Sequence, residues 1–163
     1  MAGDDDAERS PEDRLTTAAA LLDRARTADE PARAVQALVE IAKAAGALGW
    51  DLDRSDAESV AATLRAMATR DRQLVDWAVL TVTNLLYDDD PGEVVDALLA
   101  RSGYQLLRDL GDDADSRLDP GHLADVDAEL AEVVEERGLA ALVAQRRPTA
   151  IPHSHSWWFE PAG

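Results

Sequence analysis

At 163 residues without a cysteine, the chain is long enough to bury a core unaided, and disulfides, thiolate metal sites and cysteine nucleophiles are excluded. Thirty-three acidic against sixteen basic residues give a formal charge of −17, which repels nucleic acid and anionic lipid; acids scattered over most segments serve solubility first, and a basic protein partner is the sharper alternative. The acidic start is unlike a secretory signal and no apolar run approaches membrane-spanning length, so cytoplasmic residence is expected.

Residues 1–9 are crowded with acids and poor in apolar side chains, which predicts disorder. A helical domain is expected over 10–147. Ser10, Pro11 and Asp13 make a capping-box-like start for a first helix with Leu15, Ala18, Leu22 and Ala25 inward, ending near Thr27. Asp29 and Pro31 signal a second helix carrying Val35, Leu38, Val39, Ile41, Ala42 and Ala45, stopped by Gly46 or Gly49. Trp50 follows in a short connection, where an indole closes the end of a core. Ser55 with Glu58 is a full capping box for a third helix, with Val60, Ala61, Leu64 and Met67 facing in.

The stretch from Asp71 to Gly111 is the most apolar. Its first helix, capped by Asp71, has Leu74, Trp77, Ala78, Thr81, Val82 and Leu85 on one stripe, widened by Val75, Val79, Leu80 and Leu86. A helix so apolar is expected at the centre, with Trp77 in the middle of the core. Asp90, Pro91 and Glu93 start the next helix, which Gly103 should stop, and Tyr104–Leu110 reads as a separate short helix. After an acidic loop, Asp119 and Pro120 open a long helix with Leu123, Val126, Leu130, Val133 and Val134, ended by Gly138, and a last short helix covers 139–147. No stretch alternates with period two, so the fold class is all-α, about seven helices in a compact bundle or short array.

The segment WAVLTVTNLLYDDDPGEVVDALLARSGYQLLRDLGDD resembles the armadillo/HEAT class of helical repeats. A long apolar helix ends in the step Asn84-Leu85, then come a polar turn, a short helix closed by glycine and a second run of leucines. The sequence departs from that pattern where Leu80 stands one turn before the asparagine in place of tryptophan. The resemblance implies stacked helical pairs, about three or four in a chain of this length.

Catalytic signals are weak. His122 lies in a first helical turn between Asp119 and Asp125, and His153 and His155 are two apart in IPHSHSWWF, too few ligands for zinc without more acids nearby than Glu160. Asp113, Asp115 and Asp119, like Asp51, Asp53 and Ser55, lack the glycine and the terminal glutamate of a calcium loop. No phosphate-cradling glycine loop or activated nucleophile stands out, so neither catalysis nor a cofactor is expected. Arginine far outnumbers the single lysine, Lys43, as in a high-GC bacterial genome.

The tail, residues 148–163, has Pro148 and Pro152 against helix and concentrates Trp157, Trp158 and Phe159 near its end. These aromatics, with His153 and His155, are the expected partner-binding residues, since Trp and Phe dominate interface hot spots; the other reading is that the tail folds back into a groove of its own bundle. Helices and caps make a complete domain before Pro148, so the tail is expected to add little to folding. The function expected is a non-catalytic interaction module: an adaptor, regulator or immunity-type partner. The alternative is a precursor whose aromatic segment a tailoring enzyme modifies.

Overall fold

The structure is a computed structural model and describes residues 9–28, 30, 32–110 and 120–159. Among them every regular element is helical. The α-helices are α1 (Pro11–Thr27), α2 (Ala32–Ala47), α3 (Glu58–Arg70), α4 (Arg72–Thr81), α5 (Pro91–Leu110), α6 (Pro120–Glu136) and α7 (Ala140–Arg146). Short 3-10 turns cover Ser55–Ala57, Val82–Tyr87 and Ser156–Trp158. No helix among the described residues is long and apolar enough to cross a membrane.

The centre is the pair α2 and α5, not the helix after Asp71. α2 buries Ala34, Ala37, Leu38, Ile41, Ala44 and Ala45, a face small enough for another backbone to come close. α5 answers with Val94, Ala97, Leu98, Ala100, Gly103 and Leu107. Helix α1 packs on α2, α3 touches α1 and α5, and α4 lies on α2 and α5, while α6 covers the 3-10 turn Val82–Tyr87. The Tyr104 hydroxyl ties α5 to α4 by donating to Asp76 at 2.6 Å, and burial first, then that bond, pushes its pKa up to about 12.

Gly103 does not stop a helix. It lies in the middle of α5, where an added Cβ would come 2.1 Å from the Leu38 carbonyl oxygen of α2. A glycine inside an apolar helix run therefore marks a backbone-to-backbone approach, and 91–110 is one helix.

Trp77 is also not in the core: it is 44% exposed. The buried face of α4 and the following turn is Val75, Ala78, Val79, Val82 and Leu86, one position round from the stripe the tryptophan suggested. β-branched and small side chains fill the narrow seam against α2 and α5, and the indole is left outside.

Several predicted caps take other forms. Ser10 accepts from the Asp13 N–H at 3.1 Å, and Asp90 Oδ1 accepts from the Gly92 N–H at 2.9 Å, as expected. Ser55 makes no capping bond, because a 3-10 turn precedes α3. Asp71 makes no cap either; its wholly buried carboxylate is held by Arg26 and by Arg70. Arg9 lies against α1 and α2, hydrogen-bonded to the Asp13 carbonyl at 3.2 Å and 3.7 Å from Glu40, where disorder was expected. Residues 1–8, Asp29, Pro31 and the acidic loop with Asp113, Asp115 and Asp119 lie outside the described residues.

Two helix ends position the site. At the end of α2, Gly49 takes a left-handed φ of +65° and the Trp50 N–H bonds back to the Ala45 carbonyl at 2.9 Å. At the end of α6, Gly138 does the same and the Leu139 N–H reaches the Val134 carbonyl at 2.9 Å. Both are 6→1 C-caps that glycine makes cheaply. The first aims Trp50 at the C-terminal segment, and the second turns α7 back along α6.

Candidate functional site

The C-terminal segment is docked on the bundle. After α7 the chain turns at Pro148, Ala150 adopts a left-handed φ of +66°, and Ile151 goes into the core. Residues 155–159 then close a single 3-10 turn, with the Trp158 N–H on the His155 carbonyl at 3.1 Å and the Phe159 N–H on the Ser156 carbonyl at 3.0 Å. That tight turn points two consecutive indoles at the same spot on α5.

The spot is Ser102, which is completely buried. Its hydroxyl oxygen accepts from Trp157 Nε1 at 3.0 Å and from Trp158 Nε1 at 2.8 Å, and it lies 2.9 Å from His155 Nδ1. A hydroxyl has two lone pairs and one proton. Both lone pairs are taken by indole donors that can only donate, so the proton goes to Nδ1. His155 is therefore neutral, with its own hydrogen on Nε2. Burial, then the Arg101 charge, pushes its pKa down to about 4, in agreement with that assignment.

Arg101, the preceding residue of α5, completes the seat. Its guanidinium lies 4.0 Å from the Trp157 ring centroid and forks onto the Asp127 carboxylate of α6, at 2.6 Å from Nε and 3.2 Å from Nη2. Nη1 donates to Gln105 at 3.0 Å. A buried guanidinium is tolerable because its charge is matched by a carboxylate and its face by an aromatic ring. The His155 ring stacks on Trp157 at 4.9 Å and meets the Trp50 ring edge-on at 5.4 Å. Trp50 has a left-handed φ of +60°, an uncommon conformation for a bulky residue, and thereby closes this end of the core.

The five residues expected to bind a partner divide in two. His155, Trp157 and Trp158 are buried, the last only 1% exposed, so they hold the tail to its own bundle. His153 is exposed and stacks on half-buried Phe159 at 4.7 Å, and the Arg147 guanidinium lies 4.7 Å from the Phe159 ring centroid. The two histidines thus occupy different environments and share no ligand position. Two buried indoles argue against the expectation that the tail adds little to folding. That expectation counted helices and did not see that α5 offers a small polar seat.

Ser102 and His155 have the composition of a nucleophile–base pair, but the oxygen already serves three partners, and among the described residues no carboxylate backs the imidazole. The geometry is that of a lock. Ser102, Arg101 and Asp127 were missed from sequence, although the run LLARSGYQLL carried a signal: Arg-Ser-Gly inside an apolar helix marks something polar or close-packed opposite.

Beside the lock, α6, α7 and the tail enclose an open groove of about 720 Å³. Val134 and Val143 form one side, Trp157, Trp158 and Phe159 the other, and Glu135 and Arg147 lie among the lining residues. Comparison with family models, with curated proteins and with solved structures finds no match.

Proposed function

We propose that the protein is a non-catalytic helical interaction module that takes a protein partner in the groove between α6, α7 and the docked tail. The observation that carries this reading is the groove itself, an open apolar concavity with an aromatic wall. Half-buried Phe159 would meet the partner from its docked position, with buried Trp157 and Trp158 holding the wall from behind, His155 locking it and His153 supporting Phe159. The saturated Ser102 hydroxyl is held as a structural acceptor and donor and is not placed as a nucleophile. Burial of the tail speaks against the precursor alternative, since a tailoring enzyme would first have to pull both indoles off Ser102. A helical-repeat origin for residues 71–111 is compatible with such a scaffold and unnecessary to it.

The test fills the groove in the full-length chain. Ala144 is exposed and lines it, and Ala20 is exposed on α1, which is not among the lining elements. Cross-linking in lysate of the native cells, read by mass spectrometry, should recover a protein with the wild type and with Ala20→Trp but not with Ala144→Trp. Equal recovery by both variants would overturn the groove as the site.

A further inference from the structure

We infer that the outer face of α4 and of the 3-10 turn after it is a second docking surface, which takes a basic amphipathic segment of a partner protein. This rests on the interaction reading above and specifies the chemistry of a face outside the groove lining.

Gln73, Trp77, Leu80, Asn84 and Tyr87 are all exposed, and their spacings of 4, 3, 4 and 3 place them on one side of a helical path. Among the described residues the large exposed apolar side chains are Trp77 at 44%, Leu80 at 40% and Tyr87 at 70%, all on this stripe. Folding does not require them there. The opposite face, with Val75, Ala78, Val79, Val82 and Leu86, already supplies the element's share of the core. An amphipathic helix that met only water on this side would carry polar residues in these places.

The charge around the stripe selects the occupant. At its far end the Tyr87 hydroxyl donates to Glu129 at 2.6 Å, and Asp88, Asp89 and Asp90 follow, all exposed. The Tyr87 pKa is raised by the Glu129 hydrogen bond first, then by burial and the charges of Glu129, Glu132 and Glu136, every influence acting in one direction. Glu93, one turn into α5, is raised by burial and then by Asp96, Asp88 and Asp90. The Arg137 side chain, from the end of α6, is engaged with the Leu86 carbonyl at 2.7 Å. Carboxylates in mutual repulsion next to an exposed phenol ring favour lysine or arginine, which relieves the repulsion and can lie on the ring. Nucleic acid and a second copy of this acidic chain are repelled by the same charges. By the rises of the two helix types the stripe is about 18 Å long from Trp77 to Tyr87, which about twelve helical residues would span. The occupant's apolar residues would cover Trp77 and Leu80, and its basic end would lie over Tyr87 and the α6 carboxylates.

The probe is a fluorescein-labelled 14-residue helical peptide with leucines along one face and lysines clustered at one end. Anisotropy with the full-length protein should show saturable binding, at least tenfold weaker for a twin with glutamate at each lysine and for a twin with serine at each leucine. Trp77→Ser with Leu80→Ser should weaken binding at least tenfold, and Glu132→Gln with Glu136→Gln at least threefold. Glu12→Gln with Asp13→Asn removes the same charge from α1, which packs on α2 and α3, and should leave affinity unchanged. Chemical-shift mapping on the unmodified protein gives a second measure that no variant's folding can confuse, with shifts expected at residues 73–90 and in α6. Equal weakening by the α1 pair, unchanged affinity after loss of Trp77 and Leu80, or shifts centred on the tail would each overturn the proposal. So would self-association abolished by the Trp77 and Leu80 changes, which would make a second copy the occupant. Ala144→Trp separates the two readings: peptide binding should survive it, whereas capture in the groove should not.

Discussion

Replacing Ser102 with alanine removes one oxygen atom and strands three groups. The two indole N–H donors lose their acceptor, and His155 Nδ1 loses its donor, all at a position with no exposure. Each buried polar group left unsatisfied costs about 1–3 kcal/mol, and part is recovered if the indoles tilt toward the groove and water. The expected loss is therefore about 2–5 kcal/mol, large for the deletion of one hydroxyl. Urea denaturation followed by tryptophan fluorescence and far-UV circular dichroism measures it. Phenylalanine at both 157 and 158 keeps the rings and removes the donors. In that background Ser102→Ala should lose only its His155 contribution, giving a coupling of about 1–3 kcal/mol in the cycle. A loss below about 0.5 kcal/mol for Ser102→Ala alone, or strict additivity of the two changes, would refute the lock.

Further predictions follow from the same contacts. His155 has its pKa lowered in the fold to about 4, so the unfolded chain takes up a proton first as pH falls. Its share of stability should be complete above about pH 6.5 and lost toward pH 4, by at most about 3 kcal/mol, a limb that His155→Gln should lack when the two pH profiles are subtracted. Gly103→Ala should cost about 3 kcal/mol or more, since a backbone oxygen of α2 blocks the new Cβ; a change under 1 kcal/mol in thermal unfolding would argue against the close approach. Trp77→Ala should cost about 1–2 kcal/mol, less than the roughly 3–5 kcal/mol of a core aromatic, because the indole is 44% exposed. Ending the chain at Arg147 should lower stability by several kcal/mol, as loss of buried tryptophans does, and an unchanged melting temperature would undock the tail.

The sequence made the core of each helix readable where apolar residues recur on a face with no rival. Leu15, Leu22, Leu38, Ile41, Leu64, Leu98 and Leu130 are all buried as expected. It misled where a helix is apolar nearly all round, as 72–87 is. There the largest residue drew the stripe toward itself, and Trp77 was given the place that Val75, Ala78 and Val79 hold. Glycine was ambiguous for a related reason. Gly49 and Gly138 end helices with a positive φ, whereas Gly103 keeps a helical backbone and serves by lacking a Cβ. Local sequence does not distinguish a residue needed for its torsion from one needed for its size. The tail lock was less legible still, because its parts are more than fifty residues apart and meet only through the packing of α5 and α6.

Ser102 and Gly103 are neighbours in sequence and serve two faces of α5. Successive helical residues are about 100° apart around the axis, so while Gly103 meets α2, Ser102 faces the tail. The depth at which α5 sits against α2 therefore also fixes where the Ser102 oxygen stands. Trp50, turned back by the left-handed end of α2, touches His155 and ties the same two helices to the tail from the other side. The aromatic wall of the groove is thus referenced to the close backbone approach of α2 and α5 and not to a loose terminus. A perturbation of the α2–α5 approach should reach the groove as well as the core. Gly103→Ala at a temperature where it remains folded should loosen the Trp157 and Trp158 environments, seen as a red shift in fluorescence, without any change to a groove-lining residue.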